Sequence, residues 1–361
     1  MKIMQIMPEF GLAGAETMCE NLTNELIKFG EDVVVVSLYD YHSAITDRLE
    51  KNNVRIIYLN KKPGLDLSII IKLIKILKKE KPDVLHTHRY VMQYVIPAAI
   101  LTRIKRRVHT VHNIAKMENT GIARKLNYFF YKFAHVTPVA LSGIVQKTVI
   151  EEYHLNPTKV PVVLNGINLS KCRIKEEYSI KKNFTILHIG RFSEQKNHVG
   201  LISAYKTIHE KYPNTILELV GDGEKKSECE KLVQGLGLKS SVRFCGHQNN
   251  VFDLLQQADL FVLPSNYEGI PMTLIEAMGT GLPIVATAVG GIPDMLEDGK
   301  DALIVQNKKD ELIKAISKMI DEKKLREKLG HNAVQRAKDF SSDVMAKQYL
   351  NLYKNGLGDK K

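Results

Sequence analysis

Long apolar runs, paired cysteines and metal-ligand spacings are all scarce in this chain of 361 residues. The best membrane-span candidate, Leu67 to Leu77, is interrupted by Lys72 and Lys75, so no transmembrane helix is expected. Cys19, Cys172, Cys229 and Cys245 show no paired spacing, which argues against a zinc module and fits a reducing compartment. No Asp-x-Asp pair in the second half offers metal ligands, and no metal is expected. The opening from Met1 to Met7 is too short and too soon interrupted for a signal peptide and reads as a first buried strand. Low-complexity tracts and short-period repeats are also missing.

What is present has the balance of a soluble globular protein, 44% hydrophobic and 25% charged, in a length that suits two domains of ordinary size. Positive charge is in excess and unevenly placed. Between Lys51 and Ile150 there are 19 Lys and Arg against 4 Asp and Glu. Three explanations fit: lysine-rich composition without special meaning, docking on anionic lipid, or nucleic-acid binding. The last has only charge behind it, because no helix-turn-helix, aromatic RNP-like strand or zinc finger accompanies the cations.

Short apolar runs alternate with helical patterns from end to end, which predicts an α/β protein of parallel sheets with helices on both faces. The first half offers strands at Lys2–Met7, Asp32–Leu38, Val54–Tyr58, Asp83–Thr87, Arg107–His112, His135–Val139 and Val160–Leu164. The second half offers Phe184–Ile189, Thr215–Val220, Val242–Cys245, Leu260–Leu263, Pro283–Ala286 and Ala302–Val305. The turn-forming cluster from Asn165 to Asn168 marks the join, giving domains 1–167 and 168–340. Ser341 and Ser342 precede an amphipathic stretch that predicts a terminal helix over about 341–356.

The segment from Ser265 to Met278 is the most informative. Glu268 and Glu276 stand eight positions apart around Gly269, Ile270 and Pro271, just after the apolar run that ends at Pro264. A helix opening at Pro271 would leave the N–H groups of Met272, Thr273 and Leu274 facing any anion at its tip. One carboxylate would then stand on each side of that anion, an arrangement suited to a sugar nucleotide. Acids near a helix start also favour the helix dipole without further meaning. Arg191 and Lys196 follow another apolar run, on a strand-to-helix loop where open α/β sheets bind ligands, and can hold the two phosphates of a diphosphate.

With Ala13-Gly14-Ala15-Glu16, Val111-His112-Asn113, Asn165-Gly166-Ile167, Gly190-Arg191, Val220 to Gly223, Phe244-Cys245-Gly246 and Gly281-Leu282-Pro283 added, the chain resembles the retaining glycosyltransferases of family 4. The resemblance runs along nearly all of it. It implies the GT-B fold, two doubly wound Rossmann-like domains facing across a cleft, with acceptor on the first and nucleotide sugar on the second. The terminal helix would pack back on the first domain.

The resemblance also assigns roles. Arg191 and Lys196 would stabilise the departing diphosphate in place of a metal ion. Glu276 would accept from the ribose hydroxyls, and Gln248 would frame the base. Glu268 would lie by the donor sugar hydroxyls, with Gly269, Ile270 and Met272 beneath the ring and Thr273 and Leu274 by the phosphates. His112 would face the donor sugar, and Gly14 would approach the donor phosphate or acceptor, with Ala13 where the family has a second glycine. His86 and His88 are read as acceptor-side candidates of which only one side can face the ligand. The implied reaction moves a hexosyl or N-acetylhexosaminyl unit, with retention, from a nucleotide sugar to a saccharide or lipid-linked acceptor in cell-surface polysaccharide synthesis. A UDP-sugar is expected on base rates, and the enzyme is expected in the cytoplasm or peripherally on the inner membrane face. A nucleotide-sugar 2-epimerase of the same fold and a non-catalytic sugar-nucleotide-binding module are the alternatives.

Overall fold

The computed structural model describes residues 1–11, 14–118, 121–180, 182–248 and 250–356. The chain divides into two compact units, Met1–Gly166 with Ser342–Lys361, and Ile167–Ser341.

The first unit is built on β1 (Lys2–Met7), β2 (Asp32–Ser37), β3 (Arg55–Tyr58), β4 (Val84–His88), β5 (Arg106–Val111) and β6 (Val136–Ala140). All pair in parallel, in the order β3-β2-β1-β4-β5-β6. Parallel strands covered by helices on both faces must be apolar throughout, and the Val33 to Val36 run of β2 is fully so. The helix Ser342–Asn355 lies on this unit. Its Met345, Ala346, Tyr349, Leu352 and Tyr353 fill a core shared with Ile3, Met18, Leu22 and Val108.

The second unit repeats the scheme with β7 (Phe184–Ile189), β8 (Thr215–Val220), β9 (Val242–Gly246), β10 (Leu260–Leu263), β11 (Ile284–Thr287) and β12 (Leu303–Val305). Their order is β12-β11-β10-β7-β8-β9, again parallel. Each sheet reverses its strand order once, between β1 and β4 and between β7 and β10. At such a switch point open α/β sheets bind their ligands, outside the carboxyl ends of the strands.

Three expectations need correction. The segment Val160–Leu164 is not a strand and makes a single bridge, Val162 to Ala140. Pro161 has no N–H to give a ladder, and its carbonyl only accepts from Ala140 N–H at 2.9 Å. A helix at Ala44–Lys51 was not foreseen; its capping box pairs Ser43 with the hydroxyl of Thr46, where the usual sequence signature has Glu or Gln. Pro271 precedes its helix rather than opening it. It has φ −71 and ψ 119, and the helix runs Met272–Thr280.

Candidate functional site

In the second unit the switch point joins two loops 72 residues apart in sequence. Lys196, at the end of the loop after β7, extends its stem over Gly190, where an added Cβ would lie 3.1 Å from Lys196 Cγ and Cδ. Its ammonium donates to Glu268 Oε1 at 2.6 Å, and Ser265 Oγ donates to the same oxygen at 2.6 Å. Gln195 Nε2 reaches Oε2 at 3.3 Å. The Lys196 and Glu268 side chains retain 15% and 4% of their exposure, so the pair is held in a low-dielectric setting where breaking it leaves a buried charge. Behind Glu268, Gly290 has φ +57, and a Cβ there would fall 1.7 Å from the Glu268 carbonyl oxygen. Gly291 N–H donates to that oxygen at 3.3 Å. Only glycine permits this approach.

At the helix tip, Leu274 N–H donates to the Pro271 carbonyl at 3.1 Å, so it is not one of the open amides that the sequence suggested. Among the described residues the amides of Met272 and Thr273 have no partner, and the buried Thr273 hydroxyl has none either. Ile270 and Met272 are buried beside Gly269. Glu276 lies half-buried in the second turn and accepts no hydrogen bond from the described residues. Desolvation pushes its carboxyl up to about 7, with the nearby charge of Lys171 pulling the other way. Leu169 and Cys172 press on the same helix at Gly279, where a Cβ would meet Cys172 Sγ at 2.7 Å.

Arg191 and Gln248 stand apart from this cluster. The Arg191 side chain is 75% exposed and pairs with Glu224 at 3.1 Å, so the two cations of the loop have different partners. Gln248 turns its amide onto the Cys245 carbonyl at 2.7 Å.

The first unit gathers its own polar group at the ends of β1, β4 and β5. His88 Nε2 lies 3.1 Å from Gln5 Oε1, and His88 Nδ1 lies 3.1 Å from His112 Nε2. Gln5 Nε2 donates to Thr23 Oγ1 at 2.8 Å and Cys19 Sγ approaches Gln5 Oε1 at 3.3 Å, which fixes that oxygen as an acceptor. The assignment propagates: His88 donates from Nε2 and accepts at Nδ1, so His112 donates from Nε2 and keeps an unprotonated Nδ1. Burial holds both imidazoles neutral, His112 at about 3 and His88 well below its ordinary value.

His86 and His88 lie on one face of β4, ring centroids 4.2 Å apart, as residues two apart on a strand must. This corrects the expectation that they divide between faces. His86 serves the core, bonded to Thr110 Oγ1 at 2.7 Å and Tyr353 OH at 2.6 Å. Gly14 opens the helix Gly14–Lys28, while Ala13 lies outside the described residues.

Sequence reading missed several neighbours. Arg89, with φ +57, pairs with Glu16, whose Oε2 is buried and unpaired. Desolvation pushes the Glu118 carboxyl to about 7, and the backbone N–H groups of His112 and Asn113 partly offset this. Gln195, Ser265, Gly290 and Gly291 were missed too; the adjacent glycines were the one visible signal.

Comparisons with known proteins agree with this architecture. The model for glycosyl transferases group 1 matches residues 170–336, and that for Glycosyltransferase Family 4 matches residues 12–171. The chain is 31% identical over 284 residues to the UDP-Gal:α-D-GlcNAc-diphosphoundecaprenol α-1,3-galactosyltransferase of Escherichia coli, covering 72% of each chain. It is 28% identical over 319 residues to the N-acetyl-α-D-glucosaminyl L-malate synthase of Bacillus anthracis, covering 83% of this chain and 81% of that one. The crystal structure of Anabaena HepE in complex with UDP and glucose matches 98% of this chain and 99% of that one, with TM-score 0.84 and 19% identity. The two doubly wound units are therefore those of the GT-B fold, and the class is a glycosyltransferase. The chain belongs to glycosyltransferase family 4.

Proposed function

We propose that the enzyme transfers a hexosyl or N-acetylhexosaminyl unit, with retention and without a metal, from a UDP-sugar to a saccharide or lipid-linked saccharide acceptor of cell-surface polysaccharide synthesis. The observation that carries this reading is the second-unit switch point. The Lys196–Glu268–Ser265 cluster there is formed by the loops after β7 and β10, and the segment after Glu268 leads into a helix tip where two amides and the Thr273 hydroxyl have no partner among the described residues. A diphosphate suits such a tip, where open N–H groups and the helix dipole both favour an anion. Glu276 then offers an unoccupied acceptor to ribose hydroxyls. Uridine and a lipid-linked acceptor are favoured by the E. coli relative, whose name specifies UDP-Gal and a diphosphoundecaprenol acceptor, and uridine also by the Anabaena complex.

In the proposed reaction the bond from the anomeric carbon to the diphosphate oxygen breaks, its electron pair staying on the diphosphate. Lys196 and Arg191 offset the charge that grows there. The acceptor oxygen bonds to the same face of the anomeric carbon, and its proton passes to the departing phosphate oxygen. Glu268 stabilises the positive charge that the sugar ring gains, and His112 of the first unit offers its unprotonated Nδ1 as an acceptor to a substrate hydroxyl. The first unit would hold the acceptor. A lipid-linked acceptor is presented at a membrane surface, and the basic first unit suits an anionic one, on the cytoplasmic face. No helix among the described residues is long and apolar enough to cross a membrane.

The test is a panel of nucleotide sugars screened for thermal stabilisation, then for transfer with excess EDTA, with the product anomer read by NMR. Stabilisation by a UDP-sugar and EDTA-resistant transfer with retention are expected. Inversion of the anomer, or activity lost in EDTA and restored by magnesium or manganese, overturns the corresponding part.

A further inference from the structure

The helix Gly121–Phe133 of the first unit has two unlike faces. One is buried: Leu126, Phe130 and Tyr131 pack into a core with Met92, Ile96, Val136 and Val145. The other carries Ile122, Tyr128, Phe129 and Phe133, exposed at 78, 37, 50 and 61%. Ile122, Phe129 and Phe133, seven and four residues apart, align along one side, with Tyr128 next to Phe129. Lys125 and Lys132 are interleaved on the same side, and the helix has no acidic residue. Phe129 and Phe133 rings lie 5.3 Å apart, and the Lys132 ammonium sits 5.2 Å from the Tyr128 ring centre. Just upstream, Lys116 is exposed and Met117 is 57% exposed.

Water gains nothing from large apolar side chains on one helical face, and contiguous exposed patches of this kind mark a surface that meets something. The chemistry selects the partner. Aromatic and aliphatic groups alternating with lysines match the headgroup–acyl boundary, where rings enter the apolar layer and long cationic side chains reach back to phosphates. The absence of acids removes the repulsion that an anionic surface would otherwise meet.

We propose that the exposed face of the helix Gly121–Phe133 inserts into the interface of an anionic lipid membrane, with Ile122, Phe129 and Phe133 entering the acyl boundary and Lys125 and Lys132 holding headgroup phosphates. This deepens the lipid-linked acceptor reading, and gives the basic first unit a definite contact.

The chain contains no tryptophan, so Phe133→Trp creates a single reporter. With phosphatidylglycerol–phosphatidylcholine vesicles its emission shifts to the blue and is quenched by lipids brominated along the acyl chain, whereas phosphatidylcholine vesicles produce little of either. Adding Ile122→Ser and Phe129→Ser abolishes the shift. Lys125→Glu with Lys132→Glu lowers vesicle binding by on the order of thirtyfold or more, as expected when two surface cations are lost. Circular dichroism and an unchanged melting midpoint confirm folding of each variant, and all keep transfer to a water-soluble acceptor. An unshifted reporter on protein that still co-sediments with anionic vesicles overturns the proposal, because charge alone then holds it. A blue shift that grows with protein concentration without vesicles, together with dimers in sedimentation, assigns the face to a second copy and overturns it equally. If no acceptor is ever glycosylated but the quenching persists, the transfer reading fails and the membrane face stands.

Discussion

At the scale of single residues, the two glutamates of the central motif sit in opposite environments, and their substitutions separate accordingly. Glu268 is buried and holds Lys196, so Glu268→Ala leaves a cation without its partner, lowers the melting midpoint and cuts kcat. A hydrogen bond to a charged group is worth about 1.5–3 kcal/mol, so a kcat loss of about ten- to hundred-and-fifty-fold is expected. Glu268→Gln, which keeps the shape, retains more of the fold than of the rate. Glu276 accepts no hydrogen bond from the described residues, and Glu276→Ala raises KM and the nucleotide Kd with little change in kcat. Normal nucleotide binding in Glu276→Ala, with poor binding at unchanged kcat in Glu268→Ala, would reverse the two roles.

The same Glu276 makes binding depend on pH. Its folded value of about 7 lies above the ordinary one, so between roughly pH 4.5 and 7 the folded chain keeps a proton that the unfolded chain has released. Its contribution to stability is therefore full below that window and is lost as pH rises through about 7. Binding runs the other way, since ribose hydroxyls donate best to the carboxylate. Calorimetric titration with a nucleotide sugar, whose diphosphate does not itself titrate there, should show affinity rising from pH 6 to 8 in the wild type and staying level in Glu276→Gln. An identical slope in both proteins assigns the dependence to another group.

His112 supplies the third residue-scale expectation. Its tautomer follows from Gln5 through His88, so nitrogen NMR of labelled protein should show an unprotonated Nδ1 and a protonated Nε2. In Gln5→Leu the His88 donor loses its acceptor, and the His112 signals become those of mixed tautomers, with kcat falling and KM held. An unmoved His112 spectrum in Gln5→Leu disproves the relay.

Among the elements, what holds the site in place is a glycine. Gly290→Ala adds a Cβ 1.7 Å from the Glu268 carbonyl in a left-handed conformation, so the loop carrying Glu268 must shift. Gly299, also left-handed at φ +71 but with open space around it, is the control: Gly299→Ala should cost only about 1–2 kcal/mol, the ordinary left-handed penalty. Denaturant unfolding should show Gly290→Ala to be the more harmful by several kcal/mol, with nucleotide binding lost at temperatures where it remains folded. Equal effects would mean that the close approach to Glu268 constrains nothing.

Local signals carried the strands and helices into view, because an apolar run or a 3.6-residue period is written in consecutive residues. Val160–Leu164 misled because it is apolar enough for a strand while Pro161 cannot supply the ladder. Ala44–Lys51 escaped because Thr46 caps in place of a longer acid. The motif residues Glu268, Glu276 and Lys196 were visible, yet the Lys196–Glu268 bond joins positions 72 apart, and the Gly290 contact with Glu268 depends on how β10 and β11 lie side by side. The His88–His112 contact likewise follows from the pairing of β4 with β5. Pairings of this kind belong to the sheet order, which no window of sequence states.

For the whole molecule, the path of the chain has consequences that neither sheet has alone. The first unit is interrupted at Gly166 and closed only by the helix Ser342–Asn355, so its core waits for the last residues of the chain. Tyr349 and Tyr353 are fully buried, and their hydroxyls bond Thr110 at 2.7 Å and His86 at 2.6 Å. Each large apolar side chain buried contributes about 1.5–3 kcal/mol. Loss of Met345, Tyr349, Leu352 and Tyr353 together therefore removes an amount comparable with the whole stability of a domain, roughly 5–15 kcal/mol. Ending the chain after Ser341 should leave the second unit folded, since its strands, helices and core all lie within Ile167–Ser341. The first unit should lose cooperative unfolding, bind a hydrophobic dye and exchange the amides of β1 and β4 rapidly. Calorimetry of the shortened chain is then expected to retain one transition, and hydrogen exchange should assign the protected amides to β7, β8 and β10. Tyr349→Phe with Tyr353→Phe, which removes only the hydroxyls, should instead weaken the first unit by about 1–3 kcal/mol for each buried polar group left without its partner, with both units still folded. Full protection of β1 and β4 in the shortened chain would show that the terminal helix only covers a core already complete without it.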